Sequence, residues 1–170
     1  GIGIATYSLG VGGYCPFMLR GKAAISTQAF ANPALGPVAI SALEGGATPQ
    51  QALRATAEAD PGFAYRQVCI VSQDGAVAMH TGPTTRPWAG HHVGKGYAAF
   101  GNVLKGEAVV AAIAGAFEAS SGQRLDERLL AAIEAGRDAG GQAAADGAHI
   151  PERSAALIVA GADVVEDLNL

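Results

Sequence analysis

One turn signal, Asp74-Gly75, constrains the fold of this chain more than any other feature of its sequence. It separates two stretches rich in β-forming residues, 65–71 and 76–81. An Asp-Gly pair between such stretches is typical of a tight β-hairpin turn. The sequence therefore predicts two antiparallel strands in direct contact, around which the other elements must be arranged.

A second informative segment is 22–33, in which a mostly apolar stretch gains hydroxyl and amide side chains and then ends at a proline. Residues 22–27 predict a strand, and residues 37–43 have helical spacing. The strand would deliver Thr27 and Gln28 to the beginning of a helix, where backbone N–H groups lack partners. Such a junction is suited to bind an anion or a polarised carbonyl.

The rest of the chain alternates between strands and helices. The further predicted elements are strands at 1–8, 97–102 and 154–160, helices at 48–59, 109–117 and 125–133, and an ordered loop at 83–94. The helix at 48–59 begins with a capping-box pattern and a proline at its first position. This order favours an antiparallel sheet covered by helices over a doubly wound parallel sheet.

Composition narrows the class of protein. With 170 residues the chain can bury a core without disulfides, and Cys15 and Cys69 lack the paired spacing of a zinc or redox site. This cysteine usage favours a reducing compartment, and we expect a cytoplasmic protein. The formal net charge of −4 without a basic cluster argues against nucleic acid as a partner. No apolar run approaches the roughly 18 residues that span a bilayer, so no membrane partner is expected.

Common catalytic motifs are missing from the sequence. It has no Gly-x-Ser-x-Gly elbow, no Walker loop and no His-Glu-x-x-His helix. The motifs of common serine hydrolases, nucleotide-binding proteins and zinc proteases are therefore not present, and we expect no metal and no cofactor.

The histidines each have a structural alternative. His80 lies where a strand meets Thr81, and a structural histidine with satisfied hydrogen bonds is as much expected there as a functional one. His91 and His92 are adjacent, and neighbours on an extended chain point apart, which argues against a shared metal. His149, in a polar loop, is expected to be exposed to solvent.

Two further polar positions have alternative interpretations. Asn102 ends a strand beside a glycine, where an amide could stabilise a developing oxyanion, and a turn asparagine is the alternative. Arg66, next to Gln67, could clamp a substrate carboxylate or pair with Asp60 or Asp74.

Several motifs, taken in order, resemble one family. They are Ser26-Thr27-Gln28-Ala29-Phe30-Ala31-Asn32-Pro33, Asp60-Pro61-Gly62, Arg66-Gln67, His80-Thr81-Gly82, Trp88-Ala89-Gly90-His91, Gly101-Asn102 and Ser154-Ala155-Ala156-Leu157. This set is similar to the bacterial and archaeal family of predicted N-terminal-nucleophile (Ntn) hydrolases, catalogued as a domain of unknown function. The resemblance covers nearly the whole chain and implies a four-layer αββα sandwich, with two antiparallel sheets between helices.

The resemblance also implies a catalytic mechanism, but this sequence lacks a residue that the mechanism needs. In that superfamily an N-terminal Thr, Ser or Cys attacks an amide, and its own α-amino group is the base. Family members have a further strand with a Thr-Phe-Ser-like segment upstream of the position of Gly1, and they continue past Leu170. We therefore expect a single domain at 1–170 that lacks the family's first strand, its C-terminal segment and a side-chain nucleophile. Smaller departures are Thr85, where many members have cysteine, and Arg153, where many have glutamine.

The topology of the superfamily suggests roles for individual residues. Thr27 and Gln28 would line the oxyanion region, and Thr6 and Ser8 would lie near the same spot. The candidate catalytic residues are Thr27, Gln28, His80 and Asn102, and the candidate substrate-binding residues are Thr6, Ser8, Asn32, Arg66, Gln67 and His91.

The sequence thus supports two functions of different classes. The first is an Ntn-type amidohydrolase or peptidase-like hydrolase acting on a small amide or peptide-like substrate. The alternative is a non-catalytic small-molecule-binding or assembly protein on the same fold. A third hypothesis, an internal Ser or Thr nucleophile activated by His80, rests on composition alone. Because the first strand would have an unpaired edge, we expect a homo-oligomer.

Overall fold

The computed structural model describes residues 1–161 and, by its backbone, the strand Val165–Asn169. The elements in chain order are β1 (Ile2–Thr6), β2 (Pro16–Leu19), β3 (Ala23–Gln28), α1 (Leu35–Glu44), α2 (Pro49–Ala59), β4 (Gln67–Ser72), β5 (Val77–Thr81), β6 (Gly90–Gly94), β7 (Tyr97–Gly101), α3 (Glu107–Ala119), α4 (Leu125–Asp138), β8 (Ser154–Ala160) and β9 (Val165–Asn169). Single turns of 3₁₀ helix lie at Val11–Gly13 and Phe63–Tyr65. No helix in the described ranges is long and apolar enough to cross a membrane.

The strands form antiparallel sheets. Their orders in the described residues are β1-β8-β9, β2-β3-β4-β5 and β6-β7. The predicted hairpin is confirmed, because β4 and β5 pair with Val71 opposite Val77. Gly75 has a φ of 85°, a conformation that glycine adopts without strain. The expected α+β class with antiparallel sheets is therefore confirmed.

Helices α1 and α2 cover one face of the four-stranded sheet. Ile25 and Ile70, neighbours on β3 and β4, are fully buried in one cluster with Leu35 of α1. The predicted capping box is confirmed: the Thr48 hydroxyl accepts a hydrogen bond from the Gln51 N–H, and the Gln51 side chain accepts one from the Thr48 N–H. The side chains of this sheet that alternate with Ile25 and Ile70 face away from α1 and α2.

Helices α3 and α4 pack against each other and against the other strands. Helix α3 contacts β6 and β7, whereas α4 contacts β1 and β8. Gly3 allows α4 to approach β1 closely, because a Cβ atom there would lie 2.8 Å from Cδ1 of Ile133 and would force that side chain to shift. Both helices were expected from their apolar periodicity.

Parts of the sheets differ from the sequence-based expectation. The predicted loop at 83–94 is wrong in its last five residues, which form β6, with Gly90 opposite Gly101 on β7. Glycines and histidines obscured this strand, because its stability comes from pairing with β7 and not from local propensity. The sequence did not predict β2 or β9 either. Strand β2 is short and begins with Pro16, which is tolerated because β2 is an edge strand.

Candidate functional site

A cavity of about 1010 Å³ lies beside β1 and β7. Every residue of these two strands lines it, whereas no residue of β6 does. Helices α3 and α4 contribute apolar side chains, among them Ile113 and Ile133. Gln28, at the end of β3, and Asn102, just after β7, contribute carboxamides. The cavity is therefore mostly apolar with a polar region where these carboxamides meet.

Gln67 organises this polar region from a fully buried position. Its Nε2 donates to the carbonyl oxygens of Gly101 at 2.9 Å and of Gly90 at 3.3 Å, and to the Thr81 hydroxyl at 3.0 Å. Because a carbonyl oxygen can only accept, these contacts determine which end of the Gln67 amide is nitrogen. Its Oε1 must therefore face the opposite side.

Two other carboxamides meet that oxygen. Nε2 of Gln28 donates to Gln67 Oε1 at 3.0 Å, and Nδ2 of Asn102 donates to it at 3.3 Å. Since Gln67 Oε1 can only accept, both residues must present their NH₂ groups to it. The remaining oxygens, Gln28 Oε1 and Asn102 Oδ1, have no hydrogen-bond partner among the described residues. Two neighbouring acceptors are thus available to a ligand in the cavity.

Gln142 connects this group to β1. Its Oε1 accepts hydrogen bonds from the Tyr7 N–H at 2.9 Å and the Thr6 hydroxyl at 3.1 Å, and its Nε2 donates to the Asn102 carbonyl at 3.1 Å. Sequence reasoning missed Gln142, because Tyr7 lies 135 residues away in the chain and no local motif marks the contact. We name Thr6, Gln28, Gln67, Asn102 and Gln142 the amide cluster.

Ser8 lies beside the amide cluster. Its N–H donates to Thr6 Oγ1 at 3.3 Å, and its carbonyl accepts from the Ser154 hydroxyl at 2.7 Å. Ser8 and Thr6 both line the cavity. The structure therefore brings together five of the sequence-predicted residues, namely Thr6, Ser8, Gln28, Gln67 and Asn102.

Thr27 lies outside the cluster. Adjacent residues of a strand face opposite sides, so Thr27 is turned toward the α1 and α2 side when Gln28 faces the cavity. Thr27 is fully buried, its hydroxyl donates to the Asn32 carbonyl at 3.5 Å, and its N–H donates to the Cys15 carbonyl at 3.0 Å. In this structure neither group is available to stabilise an oxyanion.

His80 also faces away from the cluster. It lies opposite Val68, a residue of the core beneath α1 and α2. Its ring stacks on Phe63 with centroids 4.1 Å apart, and its Nε2 lies 3.1 Å from the Phe63 carbonyl oxygen. These contacts match the structural alternative for this histidine.

Arg66 is paired with a carboxylate of the chain itself. Its Nε lies 2.8 Å from Oδ2 of Asp60, which also accepts from the Asn32 amide at 3.0 Å. The Arg66 hydrogen bond, together with those from Asn32 and the Gly62 N–H, lowers the pKa of Asp60 to about 2. Arg66 also donates to the carbonyl of Phe30, which lines the cavity. Arg66 and Asn32 thus hold the segment between β3 and α1 in place.

His91 contacts the amide cluster indirectly, through Thr81. Its Nδ1 lies 2.9 Å from Oγ1 of Thr81, which accepts from Gln67. Burial, and secondarily the nearby His80, lowers the pKa of His91 and favours the neutral ring, whose Nδ1 can accept a hydrogen bond from the Thr81 hydroxyl in one tautomer. Neither His91 nor Thr81 lines the cavity. This pair therefore orients Gln67 and does not contact a ligand there.

The described residues offer no obvious metal centre. No three His, Cys, Asp or Glu side chains among them converge on a common point. Cys15 and Cys69 are buried, and burial raises the pKa of each thiol to about 12. Both are therefore protonated at neutral pH.

Comparison with known proteins establishes the family. All 170 residues match the model of a family of unknown function, DUF1028, and the chain belongs to this family. It is similar to the crystal structure of protein SPO2555 from Silicibacter pomeroyi, also described by the DUF1028 family model, with 28% sequence identity and a TM-score of 0.87. The match covers 99% of this chain and 70% of that chain. No curated protein matches the sequence.

Proposed function

We propose that the protein is a cytoplasmic amide hydrolase of the Ntn type that acts on a small amide or peptide-like substrate. The observation that carries this proposal is the pair of acceptors at the cavity, Gln28 Oε1 and Asn102 Oδ1, which have no partner among the described residues. Amides and peptides supply the N–H donors that two adjacent carbonyl acceptors require. A ligand that covers these acceptors without donating to them is disfavoured, because it removes them from water and leaves them unpaired.

The cluster suggests how a substrate is held. Gln28 and Asn102 accept hydrogen bonds from substrate N–H groups, and Gln67 holds both in position through its own fixed amide. This acceptor role adds to the oxyanion role expected for Gln28 and Asn102, because each NH₂ group donates only one of its two N–H bonds to Gln67. Gln142 closes the cluster on the side of β1.

The Ntn assignment is supported by architecture and by motif order. Antiparallel sheets are covered by one helix pair, α1 and α2, and by a second pair, α3 and α4. We interpret this arrangement as the four-layer αββα sandwich that the family resemblance implies. The cluster is assigned a binding role and not the nucleophile, since the Thr6 hydroxyl donates to the amide oxygen of Gln142, which is not a base.

A second candidate is the non-catalytic binding protein. It is favoured by the placement of Thr27 and His80, which face the α1 and α2 side and contribute no hydroxyl or base to the cavity. Such a protein would use the same acceptors to bind an amide without cleaving it.

Fluorogenic acyl-aminocoumarin amides distinguish the two candidates. The assay uses a form of the protein extended at the N-terminus so that it begins with a Thr or Ser upstream of Gly1, because the Ntn reaction needs that nucleophile. Hydrolysis is expected for at least one member of a panel. Gln28→Ala or Asn102→Ala should each reduce kcat/KM by about tenfold or more, the worth of one lost hydrogen bond. Gln50→Ala, on the exposed face of α2, is the matched control and should retain full activity. Thermal stabilisation by the same amides without hydrolysis would favour the non-catalytic binding protein. If the amides are neither hydrolysed nor stabilise the protein, both candidate functions are rejected.

A further inference from the structure

The charged side chains that line the cavity are mostly cations. Among the described residues they are Lys22, Arg86, Arg137 and Glu152. The cavity thus has one carboxylate against three basic groups, although the whole chain has a formal net charge of −4. A cleft with an excess of one sign of charge attracts ligands of the opposite sign. This lining favours a ligand that carries a negative charge.

Two of these side chains are paired within the chain. Nε of Arg137 lies 2.9 Å from Oδ1 of Asp138. Oε2 of Glu152 lies 3.4 Å from Nε2 of His149. Pairing leaves less of either charge available to a ligand, so the excess of positive charge at the cavity comes from the other two residues.

Arg86 is the cation near the amide cluster. Lys22 precedes β3 and Gln28 is its last residue, so the length of that strand separates Lys22 from the cluster. The guanidinium of Arg86 has no carboxylate partner in the part of the chain that the structure describes. Arg66, the other arginine considered for a substrate carboxylate, is already paired with Asp60.

Hydrogen bonds attach Arg86 to the amide cluster on two sides. Its carbonyl accepts from the Val103 N–H at 3.2 Å, and Val103 directly follows Asn102. Its Nη1 donates to the Tyr7 hydroxyl at 3.3 Å. The Tyr7 N–H donates to Gln142, which itself donates to the Asn102 carbonyl. These contacts form a closed ring, so the Arg86 guanidinium lies at the same end of the cavity as the Asn102 carboxamide.

Arg86 and Tyr7 together can bind a carboxylate. A guanidinium has five N–H donors in a planar fork that matches the two oxygens of a carboxylate. The hydrogen bond to Tyr7 uses one donor and holds the side chain in place, and the Tyr7 hydroxyl keeps its own O–H to donate. Because Tyr7 follows β1 and Val103 follows β7, these groups lie beyond the strand ends. A segment paired along the edge of β1 therefore does not replace them.

We propose that the substrate is a small amide that also carries a carboxylate, and that Arg86 selects it by binding this carboxylate. This selection rests on the proposed function, because Gln28 and Asn102 hold the amide N–H groups of the same ligand. The two groups of the ligand are a few bonds apart, since the Arg86 carbonyl is bonded to the residue next to Asn102. Arg86 determines specificity and takes no part in bond cleavage.

The test compares two ligands that differ only in charge. They are acetyl-alanyl-glutamyl amide, with a side-chain carboxylate, and acetyl-alanyl-glutaminyl amide, in which a neutral group of the same size replaces it. Isothermal titration calorimetry of the 170-residue chain at pH 7 and low salt should show at least about tenfold tighter binding of the glutamyl peptide, the worth of a charge-assisted hydrogen bond. The preference should shrink as salt is added, because ions screen exposed charges.

Variants assign this preference to Arg86. Arg86→Gln should remove it, whereas Arg86→Lys, which keeps the charge but not the planar fork, should retain part of it. Tyr7→Phe should weaken binding of the glutamyl peptide about threefold or more, since a donor to the carboxylate and the anchor of Arg86 are both lost. Arg54→Gln, on the exposed side of α2 and outside the cavity, is the matched control and should leave the preference unchanged.

Three outcomes distinguish carboxylate selection from the proposed function itself. Equal affinity for the two peptides would overturn the role of Arg86 and leave the proposed function standing, because the amide would still be recognised. A preference that survives Arg86→Gln would also overturn this role, since another group would then bind the carboxylate. Binding of neither peptide would reject the proposed function and carboxylate selection together. The comparison of the two peptides uses the unmodified protein, so it decides the question even where a variant does not fold.

Discussion

The Gln28 side-chain amide donates a 3.0 Å hydrogen bond to Oε1 of Gln67, its cross-strand neighbour on β4. This contact determines the orientation of the Gln28 amide, because Gln67 is itself oriented by the backbone carbonyls of Gly90 and Gly101. The backbone carbonyls of Gly90 and Gly101 therefore determine, through the buried Gln67 side chain, how the Gln28 acceptor is oriented at the cavity. Preorganisation of this kind lowers the entropic cost of binding a ligand.

Replacing Gln67 tests this dependence on one buried residue. Gln67→Leu has a similar shape but leaves the amides of Gln28 and Asn102 and two backbone carbonyls without their partner. Unfolding in urea should show a loss of at least about 3 kcal/mol in the free energy of unfolding, since each buried unpaired group costs about 1–3 kcal/mol. Gln50→Leu on the exposed face of α2 should change it by less than about 0.5 kcal/mol. Similar values for both variants would contradict the central role of Gln67.

Asp60 should contribute to stability through its ion pair. Its side chain is 6% exposed and that of Arg66 is 16% exposed, and Asp60→Asn leaves the guanidinium without its anion. We expect a loss of about 3 kcal/mol in the free energy of unfolding at pH 7. Asp138→Asn removes a surface pair with Arg137 and should cost less than about 1 kcal/mol.

The Asp60 carboxylate should also make the free energy of unfolding depend on pH in the acid range. The pKa of Asp60 is lowered from 3.8 to about 2, chiefly by its hydrogen bond from Arg66. Its contribution is fully present above the unfolded value and is lost as the pH falls from about 4 to about 2, because the unfolded chain binds the proton first. Denaturation curves across this range should show a smaller decline for Asp60→Asn than for the parent protein. An equal decline would show that the ion pair does not shift this group.

His91 should make the free energy of unfolding depend on pH at higher pH values than Asp60 does. Burial lowers its pKa below 6.5, so the unfolded chain gains a proton before the folded one as the pH falls. The free energy of unfolding should therefore decrease below about pH 6.5, and the part due to His91 should vanish in His91→Gln. His92→Gln, which changes the adjacent residue of β6, is the control and should retain the full dependence. Identical pH profiles for the two variants would exclude His91 as the source.

The two cysteines should be unreactive in the folded protein. Burial raises the pKa of Cys15 and Cys69 to about 12, and the thiolate is the reactive form. A thiol reagent such as iodoacetamide should modify neither residue at pH 8 over an hour and both after unfolding, as read by peptide mass spectrometry. Rapid modification of either thiol in the native protein would show that the site opens readily.

Features specified by neighbouring residues were predictable from the sequence. The Asp74-Gly75 hairpin and the Thr48 capping box each depend on residues a few positions apart, and both are present in the structure. Strand β6 was not predictable in the same way, since His91 and His92 between glycines carry little β-propensity and pair only with β7.

The candidate site was predictable only in part. Gln28, Gln67 and Asn102 belong to motifs that the family resemblance marks, and the structure brings them together. Gln142 belongs to no such motif and reaches the cluster only through the fold. Thr27 was grouped with Gln28 by proximity in sequence, although strand alternation already places adjacent residues on opposite faces.

The proposed function depends on recognition of amide N–H groups by Gln28 and Asn102 at the cavity. Isothermal titration calorimetry of the unmodified protein with a capped dipeptide ending in a primary amide, and with its N,N-dimethyl analogue, tests it most directly. The primary amide should bind at least about tenfold more tightly, and Gln28→Ala should remove the difference. Equal affinity for the two ligands would contradict this recognition, because a ligand without the terminal N–H donors would then satisfy the site as well.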